Sequence, residues 1–157
     1  MGYHPAVLAP TGIVAYTAGG QTIDRFFGLN MHQQHTYNPL RVDDYLKVNQ
    51  KTVLLIDECS MLSAQKLEEI HNQATIATEN NEIFGGLKTV FFGDMAQLPP
   101  VALHQGFFFQ WPLISLGYIY ELKMPMRQSA AKDEPPNGQR AFSVARENQI
   151  CFIGCLL

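Results

Sequence analysis

In VLLIDECSML, residues 53–62, an apolar run ends in two adjacent carboxylates, Asp57 and Glu58. A strand followed by such a pair is the pattern of a nucleotide hydrolase. The first carboxylate holds magnesium, usually through water, and the second faces an attacking water and takes its proton. The structural alternative is two solvated acids at a strand end, ahead of a helix whose macrodipole favours negative charge. In FFGDMAQLPPV, residues 91–101, Asp94 follows a second apolar run and Gln97 lies in a loop braced by Pro99 and Pro100. A neutral amide there can sense a terminal phosphate without adding like charge to a crowded site. Its alternative is a Gly-Asp turn with a Pro-Pro stop. In APTGIVA, residues 9–15, backbone donors and the Thr11 hydroxyl can grip a phosphate at a strand-to-helix turn, or Thr11 can cap the helix. In ELKMPMRQ, residues 121–128, Arg127 can reach across to developing negative charge. An arginine after a strand also serves as an ordinary surface residue.

These groups act together only if the chain delivers them to one place. Residues 6–8 form a short apolar strand candidate. Residues 13–20 read as a short helix stopped by Gly19 and Gly20, and residues 22–29 as a second, with apolar spacing at Ile23, Phe26 and Phe27. Residues 31–41 read as a loop and 42–48 as a helical turn or two. Residues 52–56 are a continuous apolar strand of the kind buried on both faces of a parallel sheet. Ser63 suits the N-cap of a helix over 64–77 that faces inward with Leu67, Ile70 and Ala74. A second buried strand spans 87–92, a helical segment 110–116, and a third strand 118–122. From residue 129 the polar SAAKDEPPNGQR reads as a linker, and ICFIGCLL as an apolar tail with no clear partner. Strands alternating with helices imply an α/β fold with a parallel sheet. Ligands of such sheets sit beyond the carboxyl ends of the strands, where Asp57, Glu58 and Asp94 all fall.

The 157 residues correspond to one domain of ordinary size. With 46% hydrophobic and 16% charged residues the chain can build a core, which excludes global disorder. No apolar run is long enough to span a membrane, and MGYHPAVLAP lacks the basic-then-apolar layout of a secretory signal. Three cysteines, Cys59, Cys151 and Cys155, have no framework spacing and favour a reducing compartment. The net charge of −3 decides nothing about nucleic acid, which needs a local basic track. The pair His32 and His35 in HQQH lacks a third ligand in register and reads as solvated. Phe107 to Phe109 and Trp111 can stack on bases, but packing against the sheet is the reading preferred here.

In order and spacing, APTGIVA, TIDRFFGL, LLIDECSML, FGGLKTVFFGDMAQLPPV and ELKMPMRQ resemble the PIF-type (petite integration frequency) DNA helicases, of the RecD-like branch of superfamily one. The resemblance covers roughly residues 6–128. It implies a RecA-like motor domain that hydrolyses ATP with Mg2+, coupled to 5′-to-3′ movement on single-stranded DNA and separation of duplex junctions. By position, Asp57 would be the magnesium acid, Glu58 the water-activating acid, and Gln97 and Arg127 contacts to the terminal phosphate. Pro10, Thr11, Gly12 and Thr22 would lie along the single-strand backbone. The family's biology is replication, recombination, repair and telomere maintenance, which places a eukaryotic member in the nucleus or mitochondrion.

The sequence also departs from the family. No GxxxxGK[ST] phosphate loop occurs and no lysine precedes Lys47. Residues 1–128 are therefore expected to be part of a first motor domain whose remaining pieces belong to a longer parent, with 129–157 a linker and poorly matched tail. Without the loop's amides and lysine, Asp57 and Gln97 face a highly negative nucleotide with little compensation, so the chain alone is expected to bind ATP weakly or not at all. The strand that would carry the loop is central, so its loss is expected to leave strand edges open to aggregation. Asp24 stands where the family usually has a histidine, an unfavourable neighbour for a DNA phosphate, and Cys59 replaces a more common aliphatic residue. RAFSVARENQ faintly resembles the family's next helix. Two other readings are a non-catalytic module that binds single-stranded DNA or a partner, and a different nucleotide hydrolase whose phosphate loop comes from another chain. The motor reading requires Asp57, Glu58, Gln97 and Arg127 to surround a common cavity sized for a triphosphate tip.

Overall fold

The computed structural model describes residues 2–29, 42, 45–46, 51–95, 97–122 and 151–156. Strand β1 spans His4–Ala9, and its parallel partner β3 spans Thr52–Ile56, paired from His4 with Thr52 to Leu8 with Ile56. Between them run helix α1 (Gly12–Thr17), the two-residue strand β2 (Gln21–Thr22) and helix α2 (Ile23–Phe27). Helix α2 stops where Gly28 takes up φ 69°, a left-handed conformation that glycine adopts without cost. The spacing had not suggested β2, because two residues carry no periodicity. Its pairing with Leu8 and Ala9 is a tertiary effect.

Helix α3 (Ala64–Thr78) begins as expected at Ser63, whose Oγ accepts the Lys66 N–H at 3.0 Å. It leads to β4 (Lys88–Asp94), parallel to β3. Leu67, Ile70 and Ala74 of α3 are fully buried and share one core with Leu8, Leu54, Ile56, Phe91 and the α2 residues Ile23, Phe26 and Phe27. The expected helix over 110–116 is instead two 3-10 turns, Phe108–Gln110 and Pro112–Leu116. Pro112 is the reason: it has no N–H to continue a helix and holds Trp111 extended at φ −67°, ψ 124°. Trp111 is buried, and its Nε1 donates to Glu68 Oε2 at 2.8 Å, which fastens this segment to α3.

The sheet order is β2-β1-β3-β4-β6-β5, with β5 at Tyr118–Leu122 and β6 at Cys151–Leu156. The first four strands are parallel. The tail segment expected to have no partner is β6, which lies antiparallel between β4 and β5. The expectation of open edges is thereby corrected at this position, because β6 pairs with β4 from Thr89 to Asp94 and with β5 from Tyr118 to Leu122. A β-branched and aromatic segment such as CFIGCL satisfies a ladder in either direction. The 31–41 loop, most of the 42–48 segment, the 129–140 linker and RAFSVARENQ lie outside the described residues, although Val42, Tyr45 and Leu46 are helical. No helix among the described residues is long and apolar enough to cross a membrane.

Candidate functional site

The carboxyl ends of β3 and β4 carry the acid-bearing turns side by side. Asp57 leaves β3 with its N–H donating to the Leu8 carbonyl at 2.9 Å, so its position is fixed from the neighbouring strand. Its Oδ1 accepts the Glu58 N–H at 2.9 Å. Glu58 then adopts φ 51°, ψ 45°, an uncommon left-handed conformation for a residue with a side chain. That reversal turns the chain sharply into the 3-10 turn Cys59–Met61, and both carboxylates stay half-exposed at the sheet's edge.

Gly93 explains how β4 comes so close. A Cβ added there would lie 2.7 Å from Cys59 Sγ and 3.0 Å from the Cys59 nitrogen. A residue with no side chain lets the Asp57–Glu58 turn rest directly on the end of β4. The next residue, Asp94, is buried, and its Oδ2 accepts from Gln97 Nε2 at 3.2 Å while its carbonyl accepts the Gln97 N–H at 3.0 Å. Gln97 is thus held in a tight turn and remains exposed. Cys59, between the acids and the core, is fully buried, and burial pushes its thiol up to about 12, reinforced by Glu58 and Asp57. It stays a neutral packing residue.

The APTG turn lies at the carboxyl end of β1, on the same side of the sheet. Thr11 caps α1, with Oγ1 accepting the Val14 N–H at 3.4 Å. Thr22 pairs with Ala9 across β1 and β2 and caps α2, accepting the Arg25 N–H at 3.2 Å. Parallel pairing therefore sets Thr22 next to Pro10, Thr11 and Gly12. Thr11 thus does the capping work weighed for it, Thr22 caps as well, and neither is buried. Asp24 makes an ion pair with Lys66 at 3.1 Å, and Lys66 also meets Glu69 at 2.9 Å. Burial disfavours the Lys66 ammonium, but hydrogen bonds to the Glu69 and Asp24 carboxylates outweigh it and raise its pKa.

Asp57, Glu58 and Gln97 thus lie at the same end of the sheet. Neither of two cavities, about 390 Å3 and about 210 Å3, has any of them in its wall. Arg127 and the histidines of HQQH lie outside the described residues. Sequence reasoning placed Asp94 at the ligand end of the sheet but missed that Gly93 and the Asp94–Gln97 bonds hold the two turns together. The Gly-Asp dipeptide at a strand end was their only visible signal.

This arrangement has close counterparts. A family model described as PIF1-like helicase matches residues 3–108. The ATP-dependent DNA helicase PIF1 of Candida albicans is 36% identical over 104 residues, which is 61% of this chain and 11% of that protein. The ATP-dependent DNA helicase Pif1 of Bdellovibrio bacteriovorus is 36% identical over 105 residues, 64% of this chain and 24% of that protein. The chain thus spans no more than a quarter of the length of either relative. Among solved structures, the Bacteroides Pif1 helicase in complex with ADP-AlF3 and ssDNA superposes with a TM-score of 0.69 at 30% identity, over 82% of this chain and 34% of that one. Bacteroides Pif1 bound to ssDNA gives 0.62 at 31% identity, over 74% and 31%. The α/β architecture expected from the sequence is the one these helicases share. With its motif-bearing strands matched from residue 3 to residue 108, the chain belongs to the PIF1-like helicase family.

Proposed function

We propose that this chain is part of the first motor domain of an ATP-dependent DNA helicase, and that the shared edge of β3 and β4 is its nucleotide-facing side. The observation that carries the reading is the junction at Gly93, which sets the Asp57–Glu58 turn against the Asp94–Gln97 turn. In this role Glu58 takes a proton from the attacking water, and Gln97 contacts the terminal phosphate. Asp57 offers hard oxygen donors, which suits Mg2+, a cation commonly held by one or two carboxylates together with phosphates and water. When bound, the ion would neutralise charge on the phosphates. Arg127 is assigned to the same phosphate from the resemblance alone. Half-buried Pro10, Thr11 and Thr22, with exposed Gly12, are assigned to a single-strand backbone. The 5′-to-3′ direction, action at duplex junctions, roles in repair, recombination and telomere maintenance, and a nuclear or mitochondrial site in a eukaryote are parts of the same proposal.

Fluorescence anisotropy with end-labelled oligothymidine tests the DNA part. Affinity should fall as salt rises, in proportion to the phosphates neutralised, and no binding even at low salt would overturn the reading. In a chain that also contains the phosphate loop, Glu58→Gln should abolish DNA-stimulated ATP hydrolysis and leave nucleotide binding largely intact. Surviving turnover would remove Glu58 from its role. A second reading is a binding module without turnover. It predicts DNA binding by the 157-residue chain with no tight ATP binding in calorimetry.

A further inference from the structure

Behind the Asp94–Gln97 turn lies the smaller cavity, about 210 Å3, lined by Ser60, Met95, Pro99, Phe107, Phe108 and Phe109. Its wall contains an anomaly. Ser60 is only 6% exposed, and its Oγ has no hydrogen-bond partner among the described residues. A buried hydroxyl left unpaired is uncommon and calls for an explanation. Above it, the rings of Phe107 and Phe109 stack with centroids 5.4 Å apart and planes 3° from parallel.

The turn leaves Phe109 exposed and Phe107 half-buried. Gln110 Oε1 accepts the Phe107 N–H at 2.7 Å and tightens the 3-10 turn. Phe108 points into the core and meets Phe91 edge-on at 5.1 Å, while Phe109 stays 57% exposed. Trp111, fixed to Glu68, anchors the far end. A stacked aromatic pair that shares a cavity wall with an unpaired hydroxyl has the layout of a ligand site: flat apolar contact with one polar group to set orientation.

We propose that this cavity receives one base of single-stranded DNA. The inference rests on the DNA-binding reading above and deepens it. The volume is below the 300–1,000 Å3 typical of whole small-molecule sites, so it admits a single ring system and not a complete nucleotide. The lining side chains among the described residues are uncharged, which suits a base better than a phosphate. Every base has a π-face to extend the ring stack and edge atoms that accept from or donate to a hydroxyl, which can do both. The position fits as well, because Met95 and Pro99 flank Gln97 and place the cavity beside the nucleotide-facing edge.

The test uses the 157-residue chain with oligothymidine carrying one 2-aminopurine, and an abasic oligomer of equal length as reference. Binding should quench 2-aminopurine. Phe109→Ala should abolish the quench and weaken oligothymidine binding about five- to a hundredfold, with little change on the abasic strand. Ser60→Ala, a near-isosteric change, should weaken binding several-fold or alter the preference among bases. If both variants match the unsubstituted chain in affinity and quench while Thr11→Ala weakens binding, the base site is wrong and the DNA reading stands. If the unsubstituted chain binds no DNA, both fail. If Phe109→Ala leaves DNA binding unchanged but abolishes concentration-dependent self-association, the platform is a protein contact and the proposal is overturned.

Discussion

Two residues decide how closely the candidate site is built. Gly93 permits the contact between β4 and the Cys59 backbone, so Gly93→Ala forces either the strand or the acid turn to move. Overpacking of this kind costs about 1–3 kcal/mol, and urea denaturation should show a midpoint lowered accordingly with an unchanged slope. Cys59 makes a second prediction through pH. Its folded-state pKa is raised from 9.0 to about 12 by burial. The unfolded thiol therefore ionises first. The stability contributed is complete below about pH 9 and is lost as pH rises towards 12, by up to about 1.4 kcal/mol per pH unit. Denaturation midpoints measured between pH 8 and 11 should decline, and Cys59→Ala should flatten that decline. The native thiol should also resist alkylation at pH 8, since the thiolate is the reactive form.

At the scale of elements, α3 is the part that fixes the rest. Ser63 is buried, caps the helix, and donates from its Oγ to Gln105 Oε1 at 3.0 Å, so one hydroxyl serves both the helix start and the loop that leads to the aromatic platform. Ser63→Ala should cost about 1–2 kcal/mol and show increased amide exchange both in the first turn of α3 and around Gln105. The Asp24–Lys66 pair joins α2 to α3, but the Asp24 side chain is 40% exposed. A double-mutant cycle with Asp24→Asn and Lys66→Gln should therefore return a coupling below about 1 kcal/mol. The pair also partly offsets the negative charge of Asp24.

For the whole molecule, the position of β6 matters most. Backbone groups of both β4 and β5 are satisfied by this one strand, which pairs Ile153 with Phe92 on one side and Tyr120 on the other. Ile153→Pro removes a ladder donor in a strand with neighbours on both sides. It should produce self-association detectable by light scattering, with unfolding less cooperative than in the unsubstituted chain. If the variant remains monomeric and equally cooperative, β6 contributes nothing to the sheet in solution.

Sequence alone was sufficient for features encoded over a few neighbouring residues. Val53–Ile56 is an apolar run in a strand flanked by β1 and β4, and Ser63, Leu67, Ile70 and Ala74 announce α3 by cap and spacing. The acid pair and the GDMAQLPPV loop were likewise legible, since each follows directly on its strand. What no local pattern carries is which strand lies beside which. The placement of β6 and the pairing of β2 depend on backbone hydrogen bonds between residues far apart or too few to show a period. The stacked Phe107 and Phe109 were read as packing residues because three consecutive phenylalanines look equally apolar in a sequence. Only the folded 3-10 turn sends Phe108 inward and leaves its neighbours over Ser60. Chemistry written within one turn of chain is visible in the sequence, whereas chemistry assembled across strands exists only once the sheet has closed.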